Sequence, residues 1–189
     1  SFITETDTTS TGVFLYQTRE WDNGFGVEGG LRYDATELDN ARFGTREFDL
    51  FSGSFGLHQH WDNGWFVGGQ VSLTERAPNE SELFADGAHL ATEQYEVGNA
   101  DLDKERGVNF EGTVRWRGDN GFGIGANLFH TEFDGFIYLT PGQTLEDDVL
   151  VDEIDELPVY LFVQQDASFT GGEIYADYTL QDGPLGADW

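Results

Sequence analysis

The sequence has no cysteine and no methionine, and only one of its nine basic residues is lysine. Without cysteine, disulfide bonds and Cys-based metal sites are excluded. No run of about 18 apolar residues is present, so no membrane-spanning helix is predicted, and no segment has the zones of a signal peptide. Because methionine is missing, we expect the 189 residues to be a segment of a longer protein.

The charge is strongly one-sided, with 36 acidic and 9 basic residues and a net charge of −27. This balance excludes nucleic acid as a partner, because phosphate binding needs basic side chains. Disorder is disfavoured by the 15% aromatic content and by a regular strand pattern. Two explanations of the acidity remain open: a salty habitat, or a surface that attracts cations.

A short repeat predicts tight turns along the chain. Trp21-Asp-Asn-Gly-Phe25 recurs as Trp61-Asp-Asn-Gly-Trp65 and, more loosely, as Gly118-Asp-Asn-Gly-Phe122. Asn-Gly between alternating residues is typical of a β-hairpin, because a type I′ turn needs positive φ at both central positions. A fourth turn is predicted at Asp182-Gly183.

The segments that flank these turns alternate apolar and polar residues with a period of two, which predicts strands. The predicted strands cover 11–21, 25–34, 48–61, 65–76, 107–117, 122–139 and 159–180, with an eighth after Gly183. Long loops are predicted at 35–47, 77–106 and 140–158. One apolar face is predicted, bearing Phe51, Phe55, Leu57, Val67, Val71, Leu73, Phe110, Val114, Ile174 and Tyr178, and the polar face carries charges such as Glu28, Arg32, Glu111 and Arg115.

Alternation alone fits a soluble sandwich as well as a membrane barrel, and tryptophan placement favours the barrel. Four tryptophans lie within a few residues of an Asn-Gly turn, namely Trp21, Trp61, Trp65 and Trp116, and Trp189 follows the fourth turn. Membrane barrels place Trp in a girdle at the lipid boundary, and they have short turns on one side and long loops on the other. A soluble secreted β-sandwich binding module remains the main alternative, followed by a small complete barrel enzyme or adhesin.

The stretch from Leu73 to Glu111 resembles TonB-dependent outer-membrane receptors. In that family an Arg-x-Pro and a Glu-Leu-Phe mark a strand that rises into an extracellular loop, and a Gly-Asn-x-x-Leu-x-x-Glu leads into the next strand. The matching residues are Arg76, Pro78, Glu82, Leu83, Phe84, Gly87, His89, Gly98, Asn99, Leu102 and Glu105. Within this stretch, the sequence Asp-Gly-x-His-Leu-Ala-Thr is most similar to the branch of the family that includes zinc-uptake receptors.

The resemblance implies an all-β fold, an antiparallel up-and-down transmembrane barrel segment with seven or eight of roughly 22 strands. In isolation we expect a curved open sheet. Residues 1–189 would be part of the barrel domain, with the plug domain and the barrel ends elsewhere. The implied function is TonB-dependent import of a metal ion, metal chelate or siderophore across the bacterial outer membrane. The implied partners are outer-membrane lipid, the transported ligand and, through the plug, the TonB complex. No catalysis and no cofactor are predicted.

Three histidines are candidate metal ligands. His58 and His60 lie at i and i+2 on one strand face, a spacing that binds a metal when a neighbour supplies a third ligand. A polar inner-wall position is the simpler interpretation. His89 lies in the family motif, where it either contacts the ligand or holds the loop. Seven acids between Glu146 and Glu156 are predicted to form a mobile loop with a weak, salt-sensitive attraction for cations.

Overall fold

The computed structural model describes residues 2–146 and 148–179, and seven long strands dominate it. They are β1 (Thr6–Glu20), β2 (Phe25–Asn40), β3 (Gly44–His60), β4 (Trp65–Arg76), β7 (Glu105–Arg117), β8 (Phe122–Pro141) and β12 (Leu157–Tyr178). The short elements are α1 (Glu80–Phe84), β5 (Asp86–His89), β6 (Gln94–Val97), β9 (Thr144–Glu146), β10 (Val149–Val151) and β11 (Glu153–Ile154). Within these ranges no helix is long and apolar enough to cross a membrane.

The long strands form one sheet in the order β1-β2-β3-β4-β7-β8-β12, and every neighbouring pair is antiparallel. The predicted sequential pairing is confirmed. Gly24, Gly64 and Gly121 have φ of 76°, 87° and 82°, which glycine adopts without strain. The predicted type I′ geometry is wrong, because the asparagine before each of these glycines does not have positive φ. The Gly24 amide instead donates to the Trp21 carbonyl at 2.9 Å, and the glycine follows the turn as in a three-residue hairpin loop. The three turns nevertheless join neighbouring strands, whereas the turn predicted at Asp182-Gly183 lies outside the described residues.

The predicted loop at 35–47 is wrong. β2 and β3 continue through it, paired from Phe25 with Gln59 up to Asn40 with Gly44, and only residues 41–43 form the turn. The segment 140–158 also differs from the mobile loop that we predicted, because β9 pairs with β10 and β11 pairs with β12. The segment 77–104 between β4 and β7 is a folded excursion that contains α1, β5 and β6.

The sheet has two faces, which we call outer and inner. The outer face carries the predicted apolar set, and the inner face carries Glu28, Arg32, Ser54 and His58. Toward the end away from the Asn-Gly turns the inner face becomes apolar, because it carries Leu38, Phe48 and Leu50. The outer face becomes acidic there, with Glu37, Glu47 and Asp49.

The excursion 77–104 packs on this apolar part of the inner face. Leu83, Phe84 and Leu102 are 1–2% exposed and form one core with Leu38, Phe48, Leu50 and Ile137. Burial of each such side chain stabilises the fold by about 1.5–3 kcal/mol. The only core cluster in the described residues therefore lies at one end of the sheet, beneath the excursion.

The excursion also extends the sheet. β6 pairs with β12 in parallel from Tyr95–Val159 to Val97–Leu161, and β5 pairs with β6. Ile3, just before β1, bridges Ala85. This parallel pair is the one departure from the predicted antiparallel sheet among the described strands. A ten-stranded sheet plus the β9–β10 pair accounts for the described strands, so the facing sheets of a sandwich are not present.

Candidate functional site

The outer face carries a broad band of apolar side chains that no other part of the described chain covers. Phe55 is 52% exposed, Leu57 48%, Phe110 51% and Ile174 80%. Nine of the ten residues predicted for this face are exposed, and Leu73 is half-buried. An apolar surface of this extent is unfavourable in water and is typical of a surface that meets lipid or another apolar partner.

The apolar band runs diagonally across the hydrogen-bonded rows of the sheet. One row links Phe55, Val71, Phe110, His130 and Thr170 from β3 to β12. The row is apolar on β3, β4 and β7 and polar on β8 and β12.

The band therefore shifts along the strands. Its boundary lies at Val13 on β1 and at Ile174 on β12, a shift of about eight residues over the six steps between these seven strands. With about 3.3 Å per residue and 4.8 Å between strands, the strand axes are inclined by about 40° to the direction perpendicular to the band. This is the tilt of strands in transmembrane barrels.

The tryptophans lie at the turn end of the outer face. Trp65 and Trp116 are cross-strand partners with ring centroids 6.5 Å apart, and the Trp116 Nε1 donates to the Asn63 carbonyl at 3.1 Å. Trp21 and Trp61 are 40% and 48% exposed beside their turns. Their position agrees with the predicted girdle, which stays a prediction. Trp189 lies outside the described residues.

His58 and His60 lie on the inner face near the Asn-Gly turns, and both pack against Phe66. The His60 and Phe66 ring centroids are 4.7 Å apart, and the Arg115 guanidinium lies 3.9 Å from the Phe66 centroid. The His58 Nε2 is 3.7 Å from the Glu20 carboxylate. His89 is in the excursion beyond the opposite end of β4, so the structure does not bring the three histidines together. Among residues 2–146 and 148–179, no group of three ligating side chains has the geometry to hold a metal ion.

The motif residues around Arg76 form an ion-pair network beneath the excursion. The Arg76 Nη1 donates to the Glu82 Oε2 at 2.8 Å, and its Nη2 donates to the Glu105 Oε2 at 3.3 Å. Glu105 also accepts the Ile137 amide at 2.9 Å. Burial opposes the charge of Arg76, but the hydrogen bonds to the two carboxylates prevail and raise the pKa of Arg76. The network fastens β4, β7 and β8 to the excursion.

Asn79 and Glu82 together stabilise the start of α1. The Asn79 Oδ1 accepts the Glu82 amide at 2.9 Å, and the Glu82 carboxylate accepts the Asn79 amide at 2.8 Å. This capping box satisfies two backbone donors at the helix start. Because the same Glu82 carboxylate also holds Arg76, one side chain both caps α1 and attaches it to β4.

The Gly-Asn motif lies where the chain passes back beside α1 on its way from β6 to β7. A Cβ on Gly98 would lie 2.6 Å from backbone atoms of Leu83 and Phe84, so only glycine allows this approach. The next amide, that of Asn99, donates to the Glu82 carbonyl at 2.8 Å, and Leu102 then enters the core. Pro78 is fully buried, and Gly87 pairs with Glu96 between β5 and β6. The motif therefore builds the excursion.

His89 holds the excursion in the same way. Its Nδ1 is 2.7 Å from the Oε1 of Glu96, whose side chain is only 5% exposed, and its ring stacks on Phe2 at 4.8 Å. Neighbouring Tyr95 donates to Asp86 at 3.1 Å, and burial and the Asp86 charge raise the pKa of Tyr95. Our sequence analysis missed Glu96, because its position opposite Gly87 and beside His89 exists only in the folded chain.

A single tilted sheet with an exposed apolar band, a polar inner face and a folded excursion at one end defines the wall of a transmembrane β-barrel. The family model "TonB dependent receptor-like, beta-barrel" matches residues 1–189. The chain therefore belongs to the TonB-dependent receptor β-barrel family. This membership assigns the chain to the outer membrane of a Gram-negative bacterium and to a family of transporters, not enzymes.

Solved structures share this fold. The copper transporter OprC is 19% identical, with a TM-score of 0.71 over 94% of this chain and 26% of that chain. The Serratia marcescens hemophore receptor HasR, solved with its hemophore HasA and heme, is 16% identical, with a TM-score of 0.67 over 90% of this chain and 32% of that one. The FrpB iron transporter of Neisseria meningitidis is 16% identical, with a TM-score of 0.64 over 95% and 24%. The chain thus spans about a quarter to a third of these proteins.

Proposed function

We propose that the chain is part of the barrel wall of a receptor that imports a scarce ligand, namely a metal ion, metal chelate or siderophore, with energy from the TonB complex. The observation that carries this proposal is the excursion 77–104, which the Arg76 network holds against the inner face. There it occupies space beside the inner face, which in this proposal lines the transport path. The similar structures support the ligand class, since they are described as a copper transporter, a hemophore receptor in complex with its hemophore and heme, and an iron transporter.

In this proposal the outer band meets the lipid of the outer membrane, with the tryptophans at the boundary on the Asn-Gly side. A tilt of about 40° lets a strand of roughly ten residues cross the apolar layer. The excursion and the acidic segment 140–158 then lie outside the cell. The plug domain, through which TonB would act, is a different segment of the longer protein.

The ligand is proposed only as a class. The motif residues that suggested a zinc-uptake branch build the excursion in this structure, so the zinc assignment stays a prediction. His89, the histidine of that motif, is engaged by Glu96.

Growth under metal limitation tests the function. The gene for the full receptor is deleted in its host and restored on a plasmid, and growth is followed with a zinc, an iron or a copper chelator. We expect the deletion to impair growth with one chelator, and the same defect when the TonB gene is deleted. Normal growth of the receptor deletion with all three chelators would contradict metal import.

A further inference from the structure

One hydrogen-bonded row of the inner face brings polar side chains from three strands close together near the Asn-Gly turns. The row runs across β3, β4, β7, β8 and β12 and consists of His60, Phe66, Arg115, Gly125 and Tyr175. Successive side chains of a strand point to opposite faces. The row therefore faces the polar side of the sheet, while the adjacent tryptophans of β4 and β7 face the outer side.

Phe66 and Gly125 position the cation and the hydroxyl of this row. The Arg115 guanidinium carbon lies 3.9 Å from the Phe66 ring centroid. This cation–π contact uses the face of the guanidinium and leaves its N–H groups, which point along the edge, available. A Cβ on Gly125 would lie 2.5 Å from the Tyr175 hydroxyl oxygen. The hydroxyl therefore lies over Gly125, which is the direct strand neighbour of Arg115.

The polar groups of the row have no partners within the part of the chain that the structure describes. There Arg115 forms no ion pair, and the Tyr175 hydroxyl and the His60 ring nitrogens form no hydrogen bond. Arg117, one row nearer the turns, differs because its Nη2 donates to the Asp177 carboxylate at 2.6 Å. In a chain with 36 acidic and 9 basic residues, the positive charge of Arg115 is thus available to a ligand.

A cavity of about 370 Å³ lies over the row. Its lining includes His60, Arg115, Tyr175 and the ion pair of Arg117 and Asp177. Sites for small molecules have volumes of about 300–1,000 Å³, so this cavity suits a small one. The planar guanidinium edge matches two oxygens of a carboxylate or a phosphate, and a tyrosine hydroxyl can donate to a further oxygen.

We propose that this cavity binds an oxyanion, namely the phosphate or carboxylate group of a small molecule. Arg115 donates to two of its oxygens, Tyr175 donates to another, and His60 bounds the site on the β3 side. General attraction does not supply the affinity, because the net charge of −27 repels anions, so direct hydrogen bonds must. The site lies at the end of the inner face away from the excursion, and it stands or fails independently of metal import.

Equilibrium dialysis of the full receptor against radiolabelled inorganic phosphate tests the site. The receptor is kept in a detergent without phosphate groups, and chloride holds the ionic strength constant. Arg115→Met removes the guanidinium and keeps an unbranched side chain, whereas Tyr175→Phe removes only the hydroxyl. Arg32→Met is the matched control, because Arg32 is also on the inner face but its Nε already donates to Asp34 at 2.6 Å. Circular dichroism checks the folding of each variant.

We expect saturable binding of phosphate to the wild-type receptor. Arg115→Met should weaken it by about tenfold or more, and Tyr175→Phe by about three- to tenfold, as expected for a charged and a neutral hydrogen bond. Arg115→Lys keeps the charge but not the planar edge, and its affinity should lie between those of Arg115→Met and the wild type. Arg32→Met should bind phosphate as the wild type does.

Competition identifies the source of the oxyanion. Acetate and benzoate should both displace phosphate. A stronger effect of benzoate would show that the body of the ligand packs on the aromatic rings, and equal effects would show that the oxyanion group alone is bound; either result supports the site.

Two results would overturn the proposal. One is the absence of saturable phosphate binding to the wild-type receptor, and the other is equal binding by Arg115→Met and Arg32→Met. Both leave the import proposal untouched, since that depends on growth with chelators.

Discussion

The Arg76 Nη1 lies 2.8 Å from the Glu82 Oε2, which joins the end of β4 to the first turn of α1. The substitution Arg76→Met leaves Glu82 and Glu105, both nearly buried, without their basic partner. We expect it to destabilise the excursion by about 2 kcal/mol, below the full cost of breaking a buried pair because the Arg76 side chain is 41% exposed. Amide exchange at Asn99 in the full receptor measures this effect as about thirtyfold faster exchange.

Arg42→Met is the control for this prediction. Arg42 pairs with Asp86 at 2.7 Å, but both side chains are exposed, 59% and 41%. We expect a loss of about 0.5 kcal/mol or less. Equal exchange rates at Asn99 in the Arg76 and Arg42 variants would show that the Arg76 network does not hold the excursion.

Gly98→Ala tests the close approach in the excursion. The new Cβ would meet backbone atoms of Leu83 and Phe84 at 2.6 Å, and backbone cannot move aside as the end of a flexible side chain can. We expect a loss of about 1–3 kcal/mol in the local stability of the excursion. The measurement is limited proteolysis of the folded receptor, with cleavage sites identified by mass spectrometry.

Gly112→Ala is the matched control, because a Cβ at Gly112 meets nothing within 4 Å. It should leave the cleavage rate at wild-type level. If Gly98→Ala is cleaved no faster than Gly112→Ala, the excursion tolerates the side chain and the assigned role of Gly98 is wrong.

Acid should weaken the contact between Glu75 and Lys104. The two are 2.7 Å apart, and Glu75 also accepts the Phe51 amide at 2.8 Å. Burial acts to raise the pKa of Glu75, but these hydrogen bonds and the Lys104 charge prevail and lower it below the ordinary 4.5. The stabilisation is therefore present above pH 4.5 and is lost as the pH falls through the lowered pKa. Exchange of the Phe51 amide should accelerate over this range beyond its intrinsic pH dependence.

Glu75→Gln should abolish this extra pH dependence, since glutamine does not titrate. Glu47→Gln is the control, an exposed carboxylate on the same strand as Phe51. Its pH profile should match the wild-type profile. A wild-type profile identical to that of Glu75→Gln would contradict the role of Glu75.

The sequence predicted the part of the sheet near the Asn-Gly turns well and the part near the excursion poorly, for a physical reason. β4 was predicted at its observed bounds, 65–76, because its alternation and its Asn-Gly turn are local signals. The loop predicted at 35–47 is wrong because Leu38 and Phe48 point inward, opposite to the apolar residues nearer the turns. Their partners, Leu83 and Phe84, are in the excursion, and such long-range packing leaves no periodic signal in β2 or β3.

The sequence analysis identified the residues of the candidate site, but it did not predict what each of them does. The motif was found as a family resemblance, but the contact between Gly98 and the backbone at Leu83 is visible only in three dimensions. Likewise, His89 gave no sign of its buried partner Glu96, because a histidine in a loop fits ligand binding and local hydrogen bonding equally.

The diagonal apolar band predicts a difference between two residues of the same hydrogen-bonded row. Val71 on β4 lies within the band, whereas Thr170 on β12 lies outside it, although both are on the outer face. If the band meets lipid and the strands tilt by about 40°, Val71 lies within the apolar layer and Thr170 lies beyond its boundary. Val71→Arg should then destabilise the full receptor in lipid vesicles by about 2–4 kcal/mol, and Thr170→Arg by about 0–1 kcal/mol.

Urea titration of the receptor folded into vesicles measures both changes. Ser72→Arg is a further control, since Ser72 follows Val71 and points to the polar inner face. We expect Ser72→Arg to cost less than Val71→Arg, because an inner-face arginine is not transferred into lipid. Equal losses for Val71→Arg and Thr170→Arg would mean that depth does not vary along the row, and the tilt inferred from the apolar band would be wrong.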